Sequence, residues 1–302
     1  MKSLRNLFWL LSKYTDKKNC IDKKNTLDNT EPYFPNRRSS EMSFLRQCNI
    51  FSKELCETKR YEFYELISTE LSGFVKSEFF SADELVKVIQ LDREIYFPTP
   101  LPLIKYSHLM CGYEEWLERK YSLPGFVEVE ENDIVVDCGG YVGGFSLSAA
   151  KKASEVHVFE PDETNFLCCM QNLKNYKNVI INKTGLYNES KTIQFHVSES
   201  SVEHSILPPD DGTLLDIKSI NVVSLCEYLL NNNLSKIDFL KLEAEGVEPE
   251  IFAGLGSYLP QKLAIDVSPE REGESPASYF KELLESKGYK TIQRNMVLFA
   301  KL

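Results

Sequence analysis

The sequence predicts an α/β fold: a mostly parallel sheet with helices on both faces, an antiparallel strand at its C-terminal edge, and a helical N-terminal extension. Three observations predict it. Strands and helices alternate from Ile134 onward, and repeated βα units build a parallel sheet. The chain closes on "YKTIQRNMVLFAKL", two strands around Arg294-Asn295 that read as a hairpin. Between Ser43 and about Phe80 the apolar residues recur at three- and four-residue steps, the spacing of one helix face.

In chain order, "MKSLRNLFWLLSKY" places Leu4, Leu7, Phe8 and Leu11 on one helical face, with Lys2, Arg5 and Lys13 around them. Such a helix suits docking on protein, or weak contact with a membrane surface. Its apolar run is short for a signal peptide, and no small-residue cleavage site follows. Residues 12–42 are polar and rich in Lys, Asn and Asp, so residues 1–42 read as a mobile arm. Residues 43–125 read as a helical extension with a small hairpin. Phe44, Cys48, Phe51 and Leu55, then Phe63, Leu66, Ile67 and Leu71, mark helices. "LVKVIQLDREIYFP" is two short strands around a turn, and a helix follows near Tyr113 to Lys120. From 126 to 302 strands are expected at 134–137, 156–160, 179–182, 193–197, 237–242 and 263–267. Helices are expected at 143–152, 162–175, 223–231, 249–258 and 276–286.

Composition narrows the function classes. The 302 residues are 42% hydrophobic and 26% charged, ordinary for a globular protein. A formal net charge of -10 disfavours the molecule as a whole as a nucleic-acid binder. The eight cysteines, at 20, 48, 56, 111, 138, 168, 169 and 226, form no CxxC pair. They read as reduced thiols of a cytoplasmic protein and not as a zinc site. No stretch is long enough to span a membrane.

The chemistry gathers at "DCGGYVGGFS", residues 137–146, in the first βα turn, where doubly wound sheets bind ligands. The nicotinamide fingerprint GxGxxG fails from Gly139 and from Gly140, and no GK[ST] follows. Asp137 ends the strand. It would repel a pyrophosphate and favour a zwitterion or ammonium group. Glu160 ends the next strand, about 20 residues past the glycines, where an acid accepts from ribose hydroxyls. A cofactor with a ribose, an amino-acid end and no phosphate is indicated, and S-adenosylmethionine meets all three conditions.

These motifs resemble the FkbM family of S-adenosylmethionine-dependent methyltransferases. The family's first motif, roughly D-V-G-A-N-x-G, is met by Asp137, Gly139 and Gly143, with Gly140 for the alanine and Tyr141 for the asparagine. Its F-E-P stands as Phe159-Glu160-Pro161, and its helix asparagine as Asn172. Its K-x-D-x-E-G-x-E is met by Lys241, Glu245, Gly246 and Glu248, with Glu243 for the aspartate. The likeness covers about residues 106 to 302. It implies a Rossmann-like class I methyltransferase sheet, with Asp137, Gly139, Gly140, Tyr141, Gly143, Glu160, Pro161 and Asp162 as cofactor-binding candidates. It also implies O-methylation of a small-molecule or glycan acceptor, such as a sugar or a glycosylated metabolite. N-methylation is the runner-up, and a non-catalytic cofactor- or partner-binding protein is the rival of another class.

"LKLEAEGVEPE" carries Glu243, Glu245, Glu248 and Glu250 from a strand into a helix. Acids in a first helical turn meet free N–H groups, which accounts for Glu250 and leaves Glu248 open. Glu243 and Glu245 lie at the strand's carboxyl end and are the candidate bases, with His204 as a third. A divalent cation on these acids is a lesser alternative, and no metal ligand is assigned. Lys241, inside a strand, is expected to pair with a neighbouring acid. Calorimetry should show binding of S-adenosylmethionine or S-adenosylhomocysteine and no binding of NAD; tight NAD binding with no response to S-adenosylhomocysteine would overturn the cofactor assignment.

Overall fold

The computed structural model describes residues 76–80, 85–90, 93–98, 113–198, 205–207, 214–271 and 273–302. The expected N-terminal helix, the arm, most of the helical extension and His204 lie outside the described residues. Strands β1 (Lys76–Phe80), β2 (Leu85–Gln90) and β3 (Arg93–Pro98) form a three-stranded sheet in that order. The helical reading to Phe80 therefore runs too far. The helix spacing stops at Leu71, before Gly73, and residues 76–80 join the sheet instead.

Helix α1 (Tyr113–Tyr121) leads into β4 (Ile134–Cys138), α2 (Gly144–Ala149), β5 (Glu155–Phe159), α3 (Glu163–Leu173) and β6 (Val179–Asn182). Next come β7 (Gly185–Tyr187), β8 (Lys191–Ser198), β9 (Leu214–Ser224) and α4 (Leu225–Asn231). The chain ends through β10 (Phe239–Leu242), α5 (Glu248–Ala253), β11 (Lys262–Asp266), α6 (Ala277–Ser286), β12 (Lys290–Arg294) and β13 (Val297–Lys301). The main sheet has seven strands in the order β12-β13-β11-β10-β4-β5-β6. β4, β5, β6, β10 and β11 run parallel, and β13 pairs antiparallel with both β11 and β12. The C-terminal hairpin thus supplies the antiparallel pairing, but its last strand inserts beside β11 and leaves β12 at the edge.

The central strands are buried along their whole length: every residue of β10 and β11 is inaccessible. That burial explains their largely apolar character. It also explains why Lys241 and Lys262, one in each strand, must find carboxylates. Lys262 lies 2.7 Å from Asp133 and 2.9 Å from Glu130 at the amino end of the sheet; Lys241 points to the other end.

Strand order runs outward from β4 through β5 and β6, then restarts at β10 and runs the opposite way. The reversal opens a crevice between the carboxyl ends of β4 and β10, where such sheets bind ligands. β7, β9 and β8 make a separate three-stranded sheet. β7 and β9 were not expected from the sequence. The residues read as the start of a helix at Val223 belong to β9 and to the cap of α4, where Ser224 accepts from Glu227 N.

Two tethers bring outer elements to the crevice. Asn172 of α3 accepts from Tyr96 N at 2.8 Å and donates to Tyr96 O at 2.9 Å, joining β3 to the main unit. Arg294 of β12 donates to the carbonyls of Arg119, Lys120 (3.4 Å) and Ser122 (2.8 Å), closing the C-terminal end of α1, and lies over Phe299. Side chains that meet the last carbonyls of a helix satisfy its orphan acceptors. Arg294→Ala should therefore cost about 1.5–3 kcal/mol, the range for hydrogen bonds to charged groups, read as a lower urea midpoint.

Candidate active site

The glycine turn is tied down on both sides. Gly139 N and Gly140 N both donate to Phe159 O, at 3.2 and 3.0 Å, and Gly143 N donates to Gly140 O at 2.7 Å. Gly139 has φ +72°, and a Cβ there would fall 1.7 Å from Glu243 O. Only glycine can occupy that position, because the turn crosses directly over the end of β10. Tyr141 follows in the left-handed region at φ 50°, which explains why an asparagine, tolerant of that conformation, suits the position.

Tyr141 N donates to Glu160 Oε2 at 2.8 Å, and Asp162 N donates to Glu160 Oε1 at 2.9 Å. Burial nevertheless pushes the Glu160 carboxyl up to about 8. Asn165 Nδ2 also donates to Oε1 at 3.5 Å, so the carboxyl is an acceptor held in place. Pro161 lies beside Gly185 at the start of β7. Asp162 caps α3, accepting from Thr164 N at 2.9 Å and Asn165 N at 3.0 Å. Asn172 also donates to Val142 O at 2.8 Å, bracing the turn.

Asp137 is not at the mouth of the turn. It is fully buried beneath it, accepts from Ser146 Oγ at 2.6 Å, and lies 3.0 Å from Lys241 Nζ. Within the protein the positive group it meets is this lysine. Lys241, as expected, pairs with neighbouring acids. Its Nζ also lies 3.1 Å from Glu243 Oε2 and donates to Gly139 O at 2.7 Å. From α1, Lys120 reaches Glu243 Oε1 at 2.5 Å and Asp266 Oδ2 at 2.9 Å. One chain of charges, Asp137–Lys241–Glu243–Lys120–Asp266, therefore runs across the ends of β4, β10 and β11.

This chain decides what Glu243 can do. Burial alone would raise its pKa, but Lys120 and Lys241 override that and hold it far below the usual carboxylate range. A carboxylate so strongly favoured as the anion is a poor proton acceptor, which argues against Glu243 as the base. Glu245 differs. It has φ 52° and is followed by Gly246 at φ 93°. Burial, then the charge of Glu270, pushes its carboxyl well up. Glu248 accepts from Ala244 N at 2.6 Å and from Gly246 N at 3.4 Å, fastening this turn. Glu250 lies in the first turn of α5 and takes two 2.9 Å hydrogen bonds from Arg271.

Lys120, Asp266, Ser268 and Glu270 were not anticipated as site residues. An aspartate ending the apolar run "KLAID" is the one local signal among them.

The methyltransferase FkbM domain model matches residues 137–291, about half of the chain. The chain belongs to the FkbM methyltransferase family. It is an S-adenosylmethionine-dependent methyltransferase. It is similar to "Methyltransferase 1" of Beauveria bassiana (strain ARSEF 2860), 25% identical over 233 residues, spanning 68% of this chain and 90% of that protein. Among solved structures it resembles an FkbM methyltransferase from Methylobacillus flagellatus KT, at 16% identity and TM-score 0.42, covering 66% of this chain and 53% of that one. A Streptococcus mutans methyltransferase in complex with SAH overlaps at 14% identity and TM-score 0.36, covering 66% of this chain and 97% of that one. Among the described residues no helix is long and apolar enough to cross a membrane.

The residues present fit the cofactor. Glu160, a buried carboxyl just past the end of β5 and pushed up by burial, would accept from the hydroxyls of a ribose. Until then Glu160 and Glu248 are raised to about 8 and about 7, above an unfolded value of about 4.3. For groups raised on folding, the stabilisation is complete below the unfolded pKa and is lost as pH rises through the folded one. The melting temperature of the cofactor-free protein should therefore fall between about pH 5 and about pH 8.5. Glu160→Gln should flatten that fall, as followed by circular dichroism.

Proposed function

We propose that this methyltransferase methylates a hydroxyl of a sugar or other glycosylated small metabolite. The observation that carries the proposal is Glu245, a carboxyl of raised pKa in the turn after β10. Among the described residues no lysine or arginine pairs with it. A sugar hydroxyl is a weak nucleophile at neutral pH and must lose its proton as the new bond forms. A nitrogen acceptor that is already neutral offers its lone pair without losing a proton first, so a base in this position is of most use to an oxygen acceptor.

S-adenosylmethionine supplies a methyl group made electrophilic by its sulfonium. The turn of Gly139, Gly140, Tyr141 and Gly143 would shape its seat, with Asp137 and Lys241 bracing the turn from below and Glu160 accepting from the ribose. Glu245 would take the acceptor's proton, while Glu243, locked between two lysines, positions rather than titrates. Beyond Gly246 lies a cleft of about 420 Å³ lined by Pro249, Ser268, Arg271, Glu274 and Tyr279. Hydroxyl, cation, carboxylate and a half-exposed aromatic ring make a lining suited to a polyhydroxylated ring.

The test is transfer of labelled methyl to fractions of a cell extract and to a panel of glycosides. Label in a glycosylated fraction, stable to amine-specific chemistry, is expected; label confined to amines would overturn the assignment. Glu245→Gln should lower kcat about 100-fold or more and leave S-adenosylmethionine affinity within about twofold. Full activity in that variant, with loss in His204→Ala, would make the histidine the base.

A further inference from the structure

We infer that the open edge of β9 is a self-pairing surface, where two copies of this chain join strand to strand, antiparallel, about a two-fold axis at Ile217. β9 is the middle strand of the sheet β7-β9-β8, but its neighbours cover it unequally. β8 runs along it from Leu214 to Val222, whereas β7 pairs only with Val222, Val223 and Ser224. Asn221 O is closed off by the Thr184 hydroxyl at 2.8 Å. Among the described residues no strand lies along the remaining edge, from Leu214 to Ile220, a stretch centred on Ile217.

The pairing on the far side shows which backbone groups face this edge. His196 lies opposite Ile217 in β8. Its N–H donates to Ser205 O at 2.7 Å, and its carbonyl accepts from Ser205 N at 3.1 Å. Both groups therefore point away from β9, and His196 and Ile217 form a non-hydrogen-bonded pair. By the same alternation the N–H and carbonyl of Ile217 point away from β8, into the open edge. A bulge between Val197 and Ser198 lies before Asp216, so the alternation holds from there to Val222. In place of a strand carbonyl, the Ile217 N–H takes the carboxylate of its own neighbour Asp216, at 2.8 Å. Backbone groups exposed along an edge are a template for another strand. Leu214, Leu215 and Ile217 on this edge are 42%, 63% and 48% exposed, apolar surface that a second strand would cover.

The charges beside Ile217 select a second copy of the same strand. Opposite Asp216 and Lys218, β8 places Val197 and Phe195, neither of them charged. With the axis at Ile217, the two Ile217 residues exchange N–H···O=C bonds. On either side of them, Asp216 of one copy lies opposite Lys218 of the other. Those are non-hydrogen-bonded positions, where Cα atoms approach to about 4.5 Å and opposite charges attract. Moving the axis to Asp216 or to Lys218 would set like charges face to face. Charges on an edge ordinarily discourage pairing; here their signs favour the register in which both are matched. Such a contact uses the same patch on both copies and closes on itself, so it stops at two. It also reaches toward the active site. Ser205, on the far side of His196, donates its hydroxyl to Glu245 O at 2.9 Å. A second copy at β9 would therefore extend the same sheet that holds the Glu245-Gly246 turn.

The test is the mass of the full chain in solution, by sedimentation equilibrium over a range of concentrations. Wild type should pass from one copy to two as concentration rises. Asp216→Lys sets like charges opposite one another on both sides of the axis and should raise the dissociation constant about tenfold or more. Lys218→Asp should do the same. The double exchange, Asp216→Lys with Lys218→Asp, restores opposite signs and should bring the dimer back. Ile217→Pro removes the outward N–H without touching the ladder to β8 and should give a monomer; the charge exchanges decide the matter if that variant does not fold. A wild type that stays monomeric overturns the inference, whatever other molecule or part of this chain covers the edge. So does a dimer that the single exchanges leave unchanged, or one that the double exchange fails to restore. None of these readouts needs methyl transfer, so they stand or fall apart from the proposed acceptor chemistry.

Discussion

Lys241 sits between two carboxylates at the carboxyl end of the central strand, and the arrangement of the crevice follows from that placement. A lysine 2% exposed is tolerable only where anions and carbonyls meet it. Asp137 and Glu243 supply the anions, and Gly139 O supplies a carbonyl. The glycine turn is thereby clamped to β10 from below, in the place where the missing Cβ of Gly139 lets it cross. Removing Lys241 would leave Asp137 buried without its cation. The pairings are mutual, and Lys120 carries them on to Asp266.

The division of labour among the acids follows from how each is compensated. Asp137 and Glu243 are both matched by Lys241, and the lysines hold Glu243 in its charged form. Glu160 and Glu248 are buried with N–H donors only, so their protonation is open to change, and a hydroxylated ligand can settle it for Glu160. Glu245 and Glu270 are raised by burial and by the acids around them, and Glu270 accepts from the Ser268 hydroxyl. One stretch of sequence thus holds groups whose chemical characters differ because their neighbours differ, which spacing along the chain cannot express.

Much of the fold was legible because its signals are local. The apolar strands, the cap at Asp162 and the glycine turn each need only a few residues to declare themselves, and Glu160 followed from its distance past the turn. What was missed depends on distant partners. β9 is largely exposed and owes its strand character to pairing with β8. The insertion of β13 beside β11 is a choice between two edges that a hairpin sequence does not encode. The inward turn of Asp137 depends on Lys241, about a hundred positions later. Lys120 looked like one charge among several on a surface helix, and only the docking of α1 on α2, where Tyr113 and Leu117 lie against Gly144, brings it over Glu243.

That docking bears on what counts as the inherited unit. The family match opens at residue 137, after α1, yet α1 delivers the cation that lies between Glu243 and Asp266. A fragment cut at the family boundary would leave those two anions side by side at the mouth of the crevice, together with the exposed flank of α2. The smallest self-sufficient piece of this protein is thus longer than the stretch that the family model matches. A recombination event at the shared border would have to find a replacement for one lysine before the enzyme could work again.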